Sequence, residues 1–227
     1  GSGANGIGYY MYHGGSTPKM GPTAFFSDEP MGMPKISYDF QAPLGEFGLE
    51  HGSYRALRLL HLFLNDFSSQ LAPMETVLPK GYEQMTPDNR ETLRYVRGKS
   101  GFVFMVNFQD HDTARVDQKD LCLRLKFANE TLRIPSHGTF TLPKDESLIL
   151  PFNFQMEDAL LKYATAQLLL KLDDRGTDHY FFFVPEGIQP EFVFDKTTVV
   201  GKHCYVPEAG LKSTFMVKTS GGKRFKV

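Results

Sequence analysis

Apolar and polar positions change their period along the chain. Over residues 53–71, apolar side chains fall at Leu57, Leu60, Phe63, Leu64, Phe67 and Leu71, the spacing of one helical face. Leu59 and Leu62 widen that stripe, so the helix is expected to be buried on more than one side. Ser53 is the expected N-cap, its hydroxyl accepting from an orphan backbone N–H. From about Leu93 the period becomes two. Gly101–Phe108 is strongly β-prone, and Leu121, Leu123, Leu125 and Phe127 alternate with Cys122, Arg124 and Lys126. Further strands are expected over Thr139–Leu142, Ser147–Phe154, Tyr163–Leu172, His179–Val184, Glu191–Asp195 and Thr214–Val217. Pro, Gly and Asp clusters separate them. About eight short strands at this spacing predict an antiparallel β-sandwich.

The segment before the helix follows neither period. Ile7–His13 is aromatic and bounded by glycines, which predicts a brief strand followed by a turn at Gly14-Gly15. A stretch rich in Pro, Gly and Met then runs to about Gly52, with Pro18, Pro22, Pro30, Pro34 and Pro43 too dense for any helix. Loops of this length inside a domain are usually functional or disordered. Residues 72–98 form a polar connection containing Pro73, Pro79 and Pro87.

Composition narrows the function. The 227 residues carry 25 Lys+Arg against 26 Asp+Glu, a net charge of -1. Such a balance sets up no positive field for phosphate backbones or anionic lipids and argues against a nucleic-acid binder. Apolar runs stop far short of the ~20 residues a membrane helix needs. No basic segment followed by an apolar one opens the sequence, so no signal peptide is expected within it. Cys122 and Cys204 lack metal-ligand spacing; one bridge between them is open, and two free, buried thiols are the favoured reading. Twenty Phe and no Trp suit a strand-rich core.

Most chemical motifs fail on context. The opening Gly1–Gly6 matches GxGxxG, but no strand precedes it and no helix follows. Asp110-His111-Asp112 sits between strands, where a solvated turn is the default, and the remaining histidines show no ligand spacing. No metal and no cofactor are expected. Asn129-Glu130-Thr131 is a glycosylation sequon of a kind that arises by chance. No GxSxG elbow is present. Glu46, Glu50, Asp173 and Asp174 could supply a carboxylate pair, yet solvated surface charge is the ordinary role of such residues. The cluster of most weight is Tyr9-Tyr10-Met11-Tyr12-His13-Gly14-Gly15 with Ser37-Tyr38-Asp39-Phe40. Aromatic faces stack on the apolar faces of sugars while flanking polar groups take the hydroxyls; plain core packing is the competing role.

Tyr10-Met11-Tyr12-His13-Gly14-Gly15-Ser16 resembles the Y-M-[FY]-H-G-G-T strand of glycoside hydrolase family 35, the β-galactosidases. Ser37-Tyr38-Asp39-Phe40-Gln41-Ala42-Pro43-Leu44-Gly45-Glu46-Phe47-Gly48 resembles that family's S-Y-D-[YF]-x-A-P-[LI]-x-E-x-G segment. Tyr54–Met74 looks like the helix that follows in bacterial members. Gly101–Phe104 with Asn107, Leu150–Asn153 and Tyr163–Gln167 resemble the β-domain after the catalytic barrel. The resemblance covers about Gly6 to Asp195.

The resemblance implies a C-terminal portion of a retaining β-galactosidase-like enzyme. Both catalytic glutamates of that family lie upstream of these motifs, so no catalytic residue is expected here. It implies a mainly β chain, α+β overall: a strand, long loop and helix from the end of a (β/α)8 barrel over residues 1–75, then a β-sandwich over 76–200. Residues 201–227 are either a strand-like extension or the start of a further β-domain. Tyr38 matches a tyrosine that lines the galactose pocket. Phe40 stands where tyrosine is common, so a hydroxyl contact is lost, and Ser16-Thr17 replaces the usual Thr-Asn. The implied partner is a β-galactoside or oligosaccharide. Missing barrel or an oligomer partner is expected to cover Leu57, Leu60, Leu64 and Phe67. A bacterial periplasmic or extracellular location would suit such an enzyme. The alternative is a non-catalytic module whose sandwich binds carbohydrate or a partner through Phe181, Phe182, Phe183, Phe192 or Phe194, unless period-two packing buries them.

Overall fold

A computed structural model describes residues 4, 6–16, 37–78, 93–97, 100–108 and 115–227. The Gly1–Gly6 pattern, the proline-rich stretch from Thr17 to Pro34, Pro79, Pro87 and Asp110-His111-Asp112 fall wholly or partly outside them. The chain is mainly β, with antiparallel sheets and, among the described residues, a single helix. It divides into two compact units, Asn5–Asn65 and Asp66–Val227.

The first unit holds β1 (Gly15–Ser16), β2 (Ser37–Tyr38) and most of α1 (Gly52–Leu71). The strand expected over Ile7–His13 does not form. Tyr10 and Met11 lie in a turn, Tyr12 in a bend, and only His13 makes a bridge, to Leu44. Gly14-Gly15 is not a turn either, because Gly15 pairs with Tyr38 and Gly14 N–H donates to the Leu44 carbonyl at 2.7 Å. The ladder partner is the later loop rather than a neighbouring hairpin arm, and that displaces the strand to residues 15–16. α1 starts one residue before Ser53, so Ser53 lies inside the first turn and does not cap; the His51 carbonyl accepts from Tyr54 N–H at 3.0 Å. Of the stripe expected to be incompletely covered, Phe67 is buried while Leu57, Leu60 and Leu64 are half-buried. No described helix is long and apolar enough to cross a membrane.

The second unit is a sandwich. In chain order its strands are β3 (Thr76–Val77), β4 (Leu93–Arg97), β5 (Gly101–Val106), β6 (Gln118–Leu121), β7 (Leu123–Lys126), β8 (Thr131–Ile134) and β9 (Phe140–Leu142). They continue as β10 (Ser147–Met156), β11 (Ala159–Ala164), β12 (Gln167–Asp174), β13 (Thr177–Phe183), β14 (Phe192–Phe194), β15 (Cys204–Tyr205), β16 (Met216–Lys218) and β17 (Arg224–Lys226). The larger sheet has the order β15-β14-β11-β10-β5-β4-β3, the smaller β12-β13-β17-β16, and β6-β9 and β7-β8 form two further pairs. Val103 and Met105 of β5 and Leu148, Leu150 and Phe152 of β10 share one cluster with Leu121, Leu123, Ile134 and Leu142. The alternation read at Leu121–Phe127 therefore points its apolar set into this core, with Arg124 and Lys126 outside. Buried Asn107 ties the neighbouring loops: its amide donates to the Val116 carbonyl at 3.0 Å and the Pro143 carbonyl at 3.0 Å.

The single strand expected over Tyr163–Leu172 is two strands in different sheets. The crossing is made at Thr165, whose N–H donates to the Glu191 carbonyl at 2.9 Å and whose hydroxyl donates to the Gln189 carbonyl at 2.7 Å. Both residues on either side are apolar, so period two runs through the corner unbroken. Once β11 has left, no strand among the described residues neighbours β10 on that side. Gln167 fills the gap, its Oε1 accepting from Ile149 N–H at 2.9 Å, and Pro151 has no N–H to satisfy. Residues 204–226 contribute β15 to the larger sheet and β16 and β17 to the smaller.

Candidate functional site

The two N-terminal motifs meet as backbone first. Gly15 pairs with Tyr38 and Ser16 with Ser37, antiparallel. On the other flank Leu44 N–H donates to the Tyr12 carbonyl at 3.0 Å. Residues 12–16 are thus held between two parts of one loop. Gly14 sits where nothing larger fits: a Cβ there would lie 2.1 Å from Asp39 Oδ1 and 2.9 Å from Glu46 N. That Asp39 oxygen accepts from Glu46 N–H at 2.8 Å, and its partner oxygen lies 3.9 Å from His51 Nε2. Ser16 Oγ donates to Glu46.

This frame displays a small aromatic group. The Tyr10 and Tyr38 hydroxyls are hydrogen-bonded at 2.7 Å, and the Phe40 ring meets Tyr38 edge-on with centroids 4.7 Å apart. Tyr38 is half-buried, whereas Phe40 is 57% exposed and Tyr10 83%. Phe40 and Gln41 take φ of 47° and 53°, with Ala42 N–H closing onto the Asp39 carbonyl at 2.9 Å. Two successive left-handed residues inside such a bond make a tight turn that normally calls for Asn-Gly. Phe-Gln stores strain there, and non-glycine residues in this region cluster at functional sites. A half-buried phenol, an exposed phenol and an exposed phenyl ring offer a stacking face beside paired hydroxyls.

A second aromatic group is made by Tyr9, Tyr12, Tyr54 and His61. Tyr9 Oη and His61 Nε2 are 2.9 Å apart, and the Tyr12 ring lies 5.5 Å from Tyr9 and 6.3 Å from Tyr54 between centroids. Desolvation, with the charge of Tyr12 adding to it, pushes the Tyr9 phenol above its ordinary value. These phenols fix the segment leading into Tyr10.

Of the residues singled out from sequence, Tyr38 and Phe40 come together. Tyr10 joins them, although the aromatic run around it gave no sign of which member would face outward. The candidate carboxylates have local uses instead. Glu46 takes the Ser16 hydroxyl, and Glu50 lies 3.9 Å from Arg55. Asp173 accepts from Gly176 N–H in the β12–β13 turn, and Asp174 lies 4.0 Å from Arg175. Among the described residues no group of three or more His, Cys, Asp or Glu could hold a metal.

One further titratable cluster belongs to the sandwich. Glu157, at the β10–β11 turn with φ 50°, lies 2.8 Å from Lys171 and 3.1 Å from Lys223, and Lys171 is also 2.9 Å from Asp178. The hydrogen bond with Asp178 and those from the two lysines lower the Glu157 carboxyl to about 2, while Asp178 is raised. Every charge here has a protein partner, which makes the cluster a clasp between strands.

No family model matches this chain, and no curated protein matches it.

Proposed function

We propose that this chain is the C-terminal part of a family 35 β-galactosidase-like hydrolase, in which Tyr38 and Phe40, with Tyr10, line one side of a galactose pocket. The observation that carries the reading is the Tyr10–Tyr38 hydroxyl pair beside the exposed Phe40 ring, formed by residues from both resembling motifs. The carbohydrate's apolar face would lie on Phe40, and its hydroxyls would exchange bonds with the two phenols. In the intact enzyme two carboxylates about 5–5.5 Å apart would carry out retaining hydrolysis. Those carboxylates are proposed to lie in the upstream barrel, and Tyr38 positions sugar rather than moving protons.

The test has two readouts on the purified chain. A chromogenic β-galactoside should show no turnover. Methyl β-galactoside at high concentration should shift the ring resonances of Tyr10, Tyr38 and Phe40 and leave those of Tyr163 and Tyr180 unmoved. Turnover abolished by Glu46→Gln or Glu50→Gln would overturn the reading by placing the catalysis inside this chain. Unmoved Tyr38 and Phe40 resonances would overturn their role.

A further inference from the structure

Asp39 stands in sequence between the two rings of the galactoside reading, Tyr38 and Phe40. In extended backbone successive side chains point to opposite sides, so a residue between two displayed rings turns the other way. The contacts agree. The Tyr38 and Phe40 rings meet edge-on, while Asp39 Oδ1 accepts from Glu46 N–H at 2.8 Å and its Oδ2 lies 3.9 Å from His51 Nε2. A carboxylate that accepts from a backbone N–H makes one of the stronger hydrogen bonds open to a loop.

Two glycines close on the same oxygen. A Cβ at Gly14 would lie 2.1 Å from Asp39 Oδ1, and one at Gly45 would lie 3.3 Å from it. Neither glycine takes a positive φ. What these two positions use is the missing side chain, which lets the backbone come close to the carboxylate, and not the freedom of the backbone. The main chain of Asp39 acts on the next ring. Its carbonyl accepts from Ala42 N–H at 2.9 Å and closes the turn in which Phe40 and Gln41 are left-handed.

We propose that Asp39 is a positioning residue of the aromatic site: its Oδ1 bond to Glu46 N–H holds Tyr38 and Phe40 edge-on for the sugar, and it acts through these rings rather than on the ligand. The purpose rests on the galactoside reading; the geometry does not. The need is for an acceptor and not for a charge, since His51 at 3.9 Å is beyond hydrogen-bond reach. Glu46 serves Asp39 through its N–H, while its carboxylate takes the Ser16 hydroxyl.

The test compares Asp39→Asn, which keeps an oxygen acceptor of the same shape, with Asp39→Ala, which removes it. Both are made in the whole chain and followed by nuclear Overhauser contacts between rings. Asp39→Ala should lose the Tyr38–Phe40 contacts and keep those between Tyr9 and Tyr12; Asp39→Asn should keep both sets. With methyl β-galactoside, Asp39→Ala should raise the dissociation constant about tenfold or more, as loss of a hydrogen bond to a charged group does. Asp39→Asn should restore most of that. In a Phe40→Ala background, Asp39→Ala should add much less than it does alone, because one of the rings it acts through is gone. Ring contacts that survive Asp39→Ala, an Asp39→Asn as damaging as Asp39→Ala, or an effect undiminished by Phe40→Ala would each overturn the proposal. So would loss of the Tyr9–Tyr12 contacts along with the others, which would reduce Asp39 to holding the unit together. A wild type that ignores the galactoside while its ring contacts follow these variants would sink the galactoside reading and support the positioning.

Discussion

The sandwich and the segments before α1 use aromatic residues in opposite ways, while Phe63 on α1 is buried like the sandwich phenylalanines. In the sandwich, phenylalanines make the core: Phe102, Phe152, Phe154, Phe194 and Phe225 are fully buried. In the first unit, Phe40 and Phe47 stand in solvent, at 57% and 94% exposure, and tyrosines meet one another or a histidine through their hydroxyls. The sandwich is held by a continuous apolar cluster. The first unit's site is held by two-residue strands, two isolated bridges through Leu44 and the Asp39 carboxylate. Apolar packing gives a frame its stability, whereas a site needs surface that stays unsatisfied until a ligand arrives.

The contrast can be broken most sharply at a pair of phenylalanines. Phe152→Ala should cost about 3–5 kcal/mol and lower the melting temperature by roughly 10 °C, as a buried ring in a close-packed cluster would. Phe40→Ala should move stability by less than about 0.5 kcal/mol, since little apolar area is buried there. Comparable losses in both would end the distinction.

Next in size is Gly14→Ala. Its methyl group would collide with Asp39, and we expect a cost of about 1–3 kcal/mol as the loop is pushed away. Asp39→Ala in the same chain should recover part of that loss, because the colliding oxygens are gone. A double mutant no better than the sum of its parts would show that Asp39 does not hold the loop against Gly14.

Acid titration tests the sandwich clasp. Glu157 is held at about 2 in the folded protein, against about 4.3 for an ordinary glutamate. A depressed carboxyl stabilises above its unfolded value, and that contribution is lost as pH falls from there through the folded value. Asp178, raised, works in the opposite sense and trims the effect. Urea midpoints of the wild type should therefore fall on acidification through this window. Glu157→Gln should be less stable near neutrality and flatter in acid; a parallel curve would deny the clasp.

One further substitution should run the other way. Gln41→Gly should stabilise by about 1 kcal/mol by relieving a left-handed residue, with the galactoside-induced shift of Phe40 weakened as the turn loosens. Stabilisation without any change at Phe40 would separate the strain from the site.

Much of the sandwich was legible because alternation is local. Leu121–Phe127 declares its buried face in seven residues, and the helix declares itself through a stripe that needs no partner. The corner at Thr165 was not legible: apolar alternation continues through it, and the turn is made by contacts with Gln189 and Glu191, more than twenty positions away. β17 was missed for a similar reason, since Arg224-Phe225-Lys226, one apolar residue between two basic ones, becomes a strand only beside β13 and β16. At the site, Tyr38 and Phe40 were legible as aromatics on a long loop. Tyr10 was hidden in an aromatic run that read as a strand, and the fit of Gly14 against Asp39 depends on a closure between distant segments.

The substitution of Gln167 for a missing strand bears on solubility. Where β11 departs, the backbone of β10 would otherwise present donors to any passing chain, the usual start of sheet-to-sheet aggregation. Here the Ile149 donor is already occupied and Pro151 has none to offer. The chain leaves its largest sheet midway without opening a seam along which neighbouring molecules could zip together.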